Sequence, residues 1–311
     1  MTGASIGSTA VAFLKLGRLH FLFGGFLLHG LGVAIALYAG APFNFPALVW
    51  GQLVITATQL MTHYANDYFD LEADRANTTP TNWSGGSRVL VDGMLPARTA
   101  LLTAAILAIT ALIGNVIISF GSGSGIWVFL LLISAQLGAW FYSAPPLRLH
   151  SRGLGELTTM ITVTLLTPLA GYVLQAGRVD ALPILACVPL CCLQLAMLLA
   201  IEFPDAEGDR VAGKRTLVIR LGMEGAKRLY VVALCSAFVS LPVLVAAGLP
   251  SAVGVGAAAL LPACVWLLTR VQRGDWRTPQ RWDGFAFATV ALLMAFAAVE
   301  FAAFVLLIGT R

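Results

Sequence analysis

The sequence predicts an all-α integral membrane protein, with nine transmembrane helices grouped four, four and one in a single polytopic domain over residues 1–311. Three observations predict it. The chain is 59% hydrophobic and only 11% charged, whereas a soluble domain carries about a quarter charged residues; its mean hydropathy is +0.86. Apolar runs recur at about the 20-residue length a helix needs to cross the hydrocarbon core. Finally, the basic residues sort to one side. All but Arg178 and Arg311 of the 19 Lys and Arg fall in the N-terminal segment and the even-numbered loops of a nine-span count. Basic residues accumulate on the cytoplasmic side, so the N-terminus is expected inside and the C-terminus outside a cytoplasmic membrane. An even number of spans would break this sorting.

The elements follow in order. The first span, 18–40, holds His20 and His29 as ordinary polar residues and ends in the turn "YAGAPFNFPA". The second, 46–64, runs into the acidic stretch "HYANDYFDLEADR" (63–75). Spans 98–120 and 125–143 complete the first group. The fifth, 154–176, opens at "HSRGLGEL" (150–157), and the sixth, 181–201, ends in "IEFPDAEGDR" (201–210). After the basic stretch "AGKRTLVIRLG" (212–222) come spans 227–248 and 250–270, joined by "AAGLPSA". The ninth, 283–308, follows a loop rich in arginine.

Composition also excludes classes. The net charge of +4 reports topology and not nucleic-acid binding, since there is no basic tail and no glycine-rich RNA motif. No short apolar core with a small-residue cleavage site marks a removable signal peptide. The 5 cysteines fall in predicted spans at spacings that match no zinc pattern, and read as core residues.

The acidic stretches carry the chemistry. At about 100° per helical residue, Asn66, Asp67, Asp70 and Asp74 share one stripe roughly 100° wide, and Glu72 points to the opposite side. Like charges packed this tightly are unfavourable unless a cation sits among them, and hard oxygen ligands suit Mg²⁺. A second set stands at the matching place in the other half of the chain. Asp205 and Asp209 are four apart on one helical face, with Glu202 close to both. Basic residues follow each set: "GGSRVLVDG" (85–93) the first and "AGKRTLVIRLG" the second. The echo of Ser-Arg-Val-Leu-Val in Lys-Arg-Thr-Leu-Val, with the repeated carboxylates, points to a diverged duplication. Two facing carboxylate sets with basic neighbours are what a di-magnesium diphosphate site requires, because the metals bridge phosphate to carboxylate. For one acidic cluster, a solvated helix end is the better reading; two in corresponding loops favour a site.

At these residues the sequence resembles the UbiA superfamily of intramembrane prenyltransferases, through Asn66-Asp67-x-x-Asp70-x-x-x-Asp74 and Asp205-x-x-x-Asp209. Within it, "GGSRVLVDG", "HSRGLGEL" and "GDRVAGKRTLVIRLG" (208–222) are most similar to the 1,4-dihydroxy-2-naphthoate polyprenyltransferases of menaquinone synthesis. The chain departs from that branch at Ile201 and Glu202, where Asn is usual, and at Pro204, where a basic residue is usual.

The resemblance implies the fold and the reaction. Two Mg²⁺ held by Asn66, Asp67, Asp70, Asp74, Asp205 and Asp209 would bind an allylic polyprenyl diphosphate. Arg88, Lys214, Arg215, Arg210 and Arg152 would add donors to the diphosphate. Asp70, Asp209, Lys214 and Tyr142 are the expected catalytic residues. Tyr142, Tyr68 and Phe69 are candidate rings facing the allylic cation, as well as candidate interfacial belt residues. Glu156 and Tyr68 are candidates for the wall of an aromatic acceptor site. The implied partners are a polyprenyl diphosphate, an aromatic small molecule and the bilayer, with no nucleic acid. Dihydroxynaphthoate, homogentisate and 4-hydroxybenzoate stay open as acceptors.

Two other classes fit less well. The CDP-alcohol phosphatidyltransferases need Asp-Gly-x-x-Ala-Arg, and "DGMLPAR" (92–98) has one residue too many. A transporter places ionisable residues near the bilayer midplane. Of the 15 acidic residues only Glu300 lies well inside a predicted span.

Overall fold

The computed structural model describes residues 6–121 and 125–310, which are helices joined by turns with no strand among them. Eight helical segments among the described residues are long and apolar enough to cross a membrane: Thr9–Tyr38, Ala97–Gly121, Gly125–Ser143, Gly155–Ala176, Ala181–Glu202, Leu217–Ala246, Ser251–Gln272 and Pro279–Gly309. The second predicted span differs. It lies in a helix of 25 residues, Phe45–Phe69, which at about 1.5 Å per residue would reach across the hydrocarbon. Its interior carries Gln52, Thr56, Thr58, Gln59, Thr62 and His63, so it is long enough but too polar to count among the eight.

The helices are numbered in chain order. A short helix α1 (Ile6–Leu16) precedes α2 (Leu22–Tyr38), α3 (Phe45–Phe69), the single turn and a half of α4 (Leu71–Ala76), α5 (Ala97–Val116) and α6 (Gly125–Ser143). The second half repeats the plan. A short α7 (Gly155–Thr159) runs through a wider π-type stretch into α8 (Thr167–Ala176), followed by α9 (Ala181–Glu202), α10 (Ala206–Val211), α11 (Leu217–Val239) with its continuation α12 (Leu241–Ala246), and the pair α13 (Ser251–Ala258) and α14 (Leu261–Gln272). The last helix, α15 (Trp282–Gly309), closes the bundle. The seventh predicted span thus begins ten residues early, at Leu217. Gly222 (φ 67°, ψ 163°) kinks it, so the basic stretch 212–222 supplies its first turn. Arg311 lies outside the described residues.

Packing mirrors the repeat: α3 lies along α5 in the first half, α9 lies along α11 in the second, and α15 covers α2 and α9. In lipid there is little hydrophobic drive between helices, and close van der Waals contact holds them. Gly32 shows how close. A Cβ there would sit 1.8 Å from the Pro168 carbonyl oxygen, so α2 meets α8 backbone to backbone. The main core joins Leu31, Tyr172, Leu190, Phe203, Tyr230, Phe285 and Phe296, and a smaller one joins Leu16, Tyr64, Leu90 and Ala104. Leu102, Ile106, Ile109 and Ile113 of α5 stay exposed, as a lipid-facing surface requires.

Candidate active site

The first acidic set is bent where the sequence predicts a straight stripe. Helix α3 stops at Phe69, Asp70 takes the capping position (φ −97°, ψ 3°), and α4 restarts at Leu71. The bend keeps Asn66, Asp67, Asp70 and Asp74 on the inner side. Glu72 faces out as expected: its side chain is 83% exposed and pairs with Arg75 at 2.7 Å. In the second half α9 ends at Glu202, Pro204 lies in the turn, and Asp205 begins α10. Helices α4 and α10 pack against each other. Across that contact the Asn77 amide donates to Asp205 Oδ1 at 2.7 Å, and the Gly85 N–H donates to its Oδ2 at 3.3 Å.

One ammonium joins the two halves. Lys214 Nζ lies 3.3 Å from Asp70 Oδ2 and 3.0 Å from Asp209 Oδ1. Asp70 and Asp209 are both buried, so these pairs are shielded from water. On the other flank, the Arg18 guanidinium and the Ser87 hydroxyl both donate to Asp67 in short contacts, and the Ser87 N–H adds a bond of 3.2 Å. Asn66 links the flanks by donating to Asp70 Oδ2 at 2.6 Å and to Ser143 Oγ at 3.0 Å. His150 Nε2 approaches Asp70 Oδ1 at 2.8 Å.

The electrostatics divide the carboxylates. Burial pushes Asp70 up, but the charges of Lys214 and His150 outweigh it and hold this carboxyl far below the usual range. Burial, then the negative charges of Asp70 and Asp67, push Asp74 up to about 7. Asp205 is likewise pushed up to about 7 by burial and by the charge of Asp209. The Lys214 ammonium is desolvated, yet Asp70 and Asp209 hold its proton more firmly than usual.

This donor set fits a divalent cation. Among the described residues no three carboxylates, imidazoles or thiols converge on one point. Mg²⁺ does not require that, since it usually takes one or two carboxylates and completes its shell with water and substrate phosphates. Asp74 and Asp205, crowded by their neighbours' charge, are the groups such a cation would relieve most.

The other expected residues divide between site and rim. Arg88 is at the site: its backbone is left-handed (φ 64°) and its guanidinium donates to the Asp74 carbonyl. Tyr142 stacks on His150 with ring centroids 5.1 Å apart. Glu156 is buried, and its Oε1 accepts the Leu217 N–H at 2.6 Å. Its carboxyl lies beside that of Glu202, with which it shares a side-chain hydrogen bond. The structure does not bring Arg152, Arg210 or Arg215 to the carboxylates. Arg152 is exposed and donates to the Pro146 carbonyl at 3.0 Å, Arg210 pairs with exposed Glu207 at 3.1 Å, and the Arg215 side chain points to solvent. Nor does it bring Tyr68 there. One residue on from Asp67, its ring turns about 100° around the helix and packs edge-on with Phe69 in the smaller core, 5.0 Å between centroids.

Four residues at the site escaped the sequence reading. Arg18 reads there only as a topological charge, and Ser87, Asn77 and His150 receive no role. His150 carried a signal, because it opens the stretch "HSRGLGEL". Arg18 and Asp67 are 49 positions apart, and nothing in their spacing links them.

Comparison with known proteins is consistent with this geometry. The UbiA prenyltransferase family model matches residues 26–293. A 1,4-dihydroxy-2-naphthoate octaprenyltransferase of Bacillus subtilis is 26% identical over 239 residues, covering 76% of this chain and 74% of the relative. The enzyme of the same name from Mycobacterium leprae is 28% identical over 245 residues, 78% of this chain and 81% of its own. Among solved structures, a UbiA homolog from Archaeoglobus fulgidus bound to DMAPP and Mg²⁺ shares the fold, with a TM-score of 0.65 at 18% identity over 94% of this chain and 98% of that one. With most of its length matched and both acidic sets facing each other across Lys214, the chain belongs to the UbiA prenyltransferase family.

Proposed function

We propose that this prenyltransferase moves a polyprenyl group from an allylic diphosphate to an aromatic acceptor, with 1,4-dihydroxy-2-naphthoate the first choice. Lys214, held between Asp70 and Asp209, is the observation that carries the reading: it makes two distant acidic sets one site. The names of the two octaprenyltransferase relatives support the acceptor, and the departures at Glu202 and Pro204 keep homogentisate and 4-hydroxybenzoate as alternatives. In this reading α3 is a ninth span, and the sorting of basic residues puts both acidic sets on the cytoplasmic face of the inner membrane.

The residues act as follows. Asn66, Asp67, Asp70, Asp74, Asp205 and Asp209 would hold two Mg²⁺. Such ions, when bound, neutralise the diphosphate and stabilise it as a leaving group. Lys214 and Arg88, already at the carboxylates, turn toward the diphosphate oxygens as charge builds there. The Tyr142 ring, fixed by its stack on His150, lies beside the centre where the allylic group becomes cationic. The neighbouring carboxyls of Glu156 and Glu202 would accept from a hydroxyl of the acceptor.

The test is incubation of the purified protein with geranylgeranyl or octaprenyl diphosphate and a panel of acceptors, with products read by mass. A prenylated dihydroxynaphthoate formed with Mg²⁺ and lost with a chelator is the expected result. No diphosphate release with any aromatic acceptor would overturn the reading. Cysteines introduced at exposed Thr78 and Glu207 test the orientation: an impermeant reagent should reach both only from the cytoplasmic side.

A further inference from the structure

We infer that His150 is a positioning residue for Asp70, fixing which carboxylate oxygen faces the second acidic set. The inference rests on the reading above that Asp70 is a metal ligand. The imidazole is 6% exposed and both its nitrogens are engaged. Nδ1 lies 2.6 Å from the Tyr142 carbonyl oxygen, which can only accept, and Nε2 lies 2.8 Å from Asp70 Oδ1, with Ser151 Oγ 3.2 Å away.

The ring is also fixed sterically. Tyr142 stacks on one face at an interplanar angle of 25°. Gly155 lets the start of α7 press against the same turn, since a Cβ there would sit 2.6 Å from His150 Cα. The short turn that carries the histidine, Leu149–Arg152, is bounded by left-handed Arg148 and Gly153. Through this ring Asp70 is tied to the end of α6, a helix that supplies none of the acidic residues.

The consequence lies in the two oxygens of Asp70. His150 occupies Oδ1, and Oδ2 is left facing Asn66 and Lys214, on the Asp209 side. Without the imidazole, the carboxylate can rotate and pair both oxygens with Lys214, which spends on the ammonium the lone pairs that a metal ion would use. Groups that orient metal ligands in this way typically contribute about 10- to 100-fold to metal affinity.

The experiment uses Mn²⁺ as the probe, with binding to the purified full-length protein followed by loss of the free-ion paramagnetic resonance signal, alone and with inorganic diphosphate. His150→Ala should weaken Mn²⁺ binding about tenfold. His150→Gln, whose amide reaches as far as Nε2, should recover most of the affinity. His150→Asn, which reaches only as far as Nδ1, should not. A purely structural role would lower the thermal midpoint of the Gln and Asn variants alike and leave their Mn²⁺ affinities equal, and that result overturns the inference. If His150→Ala does not fold, the Gln and Asn pair still decides it. Asp209→Ala separates the two levels of the argument. If it binds Mn²⁺ as wild type does, the shared metal site fails and takes this inference with it. If it weakens binding while every His150 variant binds normally, only the inference fails.

Discussion

The two acidic sets are neutralised differently. In the first, Asp67 carries the Arg18 guanidinium, and Asp70 carries Lys214 and His150, so cationic side chains or an imidazole face both carboxylates. In the second, Asp209 must share Lys214, and the hydrogen-bond donors that meet Asp205, namely Asn77, Ser84 and Gly85, are neutral. Burial and the charge of Asp209 push Asp205 up to about 7, and neutral donors offset this less than a charged partner would, whereas Lys214 and His150 outweigh the burial of Asp70 and hold it low. The first set is compensated at Asp67 from within its own half, by Arg18, and at Asp70 by Lys214 and His150 of the second half. The second set has its share of Lys214 and, in the proposed reaction, metal.

The largest effect should come from removing a carboxylate on either side. Asp70→Ala and Asp209→Ala are each expected to lower turnover by about a hundredfold or more. In the double variant the losses should not add, because both groups act on one diphosphate. Additive losses in steady-state kinetics would mean that the halves work separately.

Next comes Lys214→Met. It strips the ammonium that Asp70 and Asp209 share, leaving buried carboxylates facing each other, a change that is strongly destabilising when one partner of a buried pair is lost. Thermal unfolding in a chelator should show a lower midpoint than wild type by several degrees, and Mg²⁺ should restore part of it. An unchanged midpoint would show that the bridge contributes nothing to holding the halves together.

A smaller effect concerns pH. Asp74 and Asp205 have folded-state values near 7, raised from the ordinary 3.8. The folded chain therefore holds these protons more tightly than the unfolded chain. In metal-free protein the resulting stability is fully present below the unfolded value and is lost as pH rises towards 7. The thermal midpoint in chelator should be higher at pH 5.5 than at pH 8. Mg²⁺ affinity should run the opposite way, because the ion competes with those protons. A midpoint that does not fall with pH would contradict the crowding of these two carboxyls.

The smallest effect is expected for Glu72→Ala. With its side chain 83% exposed, stability should change by less than about 0.5 kcal/mol, with turnover unchanged. A dead Glu72 variant would mean that the bend at Asp70 has been assigned the wrong inner face.

Much of this was legible in the sequence, for physical reasons that also explain what was not. Membrane spans announce themselves through long apolar runs, and the eight apolar ones lie where hydropathy puts them, although the first and the seventh begin well before the predicted starts, at Thr9 and Leu217. Helical periodicity alone puts Glu72 outside and Asp67, Asp70 and Asp74 inside, and this survives the bend because α4 restarts at Leu71, directly after Asp70. Periodicity also argues against Tyr68, one residue from Asp67 and so turned off the stripe, although its ring chemistry suggested a role. The arginines were harder. Lys214 and Arg215 are neighbours in sequence, yet one is wedged between two carboxylates and the other is exposed, a difference set by the turn that leads into α11. Arg18 and His150 reach the site from the ends of other helices, and such convergence leaves no trace in spacing.

The polarity of α3 bears on how the molecule is made. A helix carrying two glutamines, several threonines and a histidine partitions poorly into lipid by itself. If α3 is the ninth span proposed above, it enters the bilayer in company, with α5, along which it lies. The partners that bury its acidic end come later still: Asp205, which Asn77 holds, is 128 residues further along the chain. On that proposed topology the first acidic set waits at the water boundary during synthesis, and the site is completed once α9 and α10 have been made. A cysteine at Ser84, buried in the complete protein, should react with a water-soluble maleimide in a chain ending at Ala176 and be shielded in the full-length chain. Equal reactivity in the two would mean that the first half closes its own site.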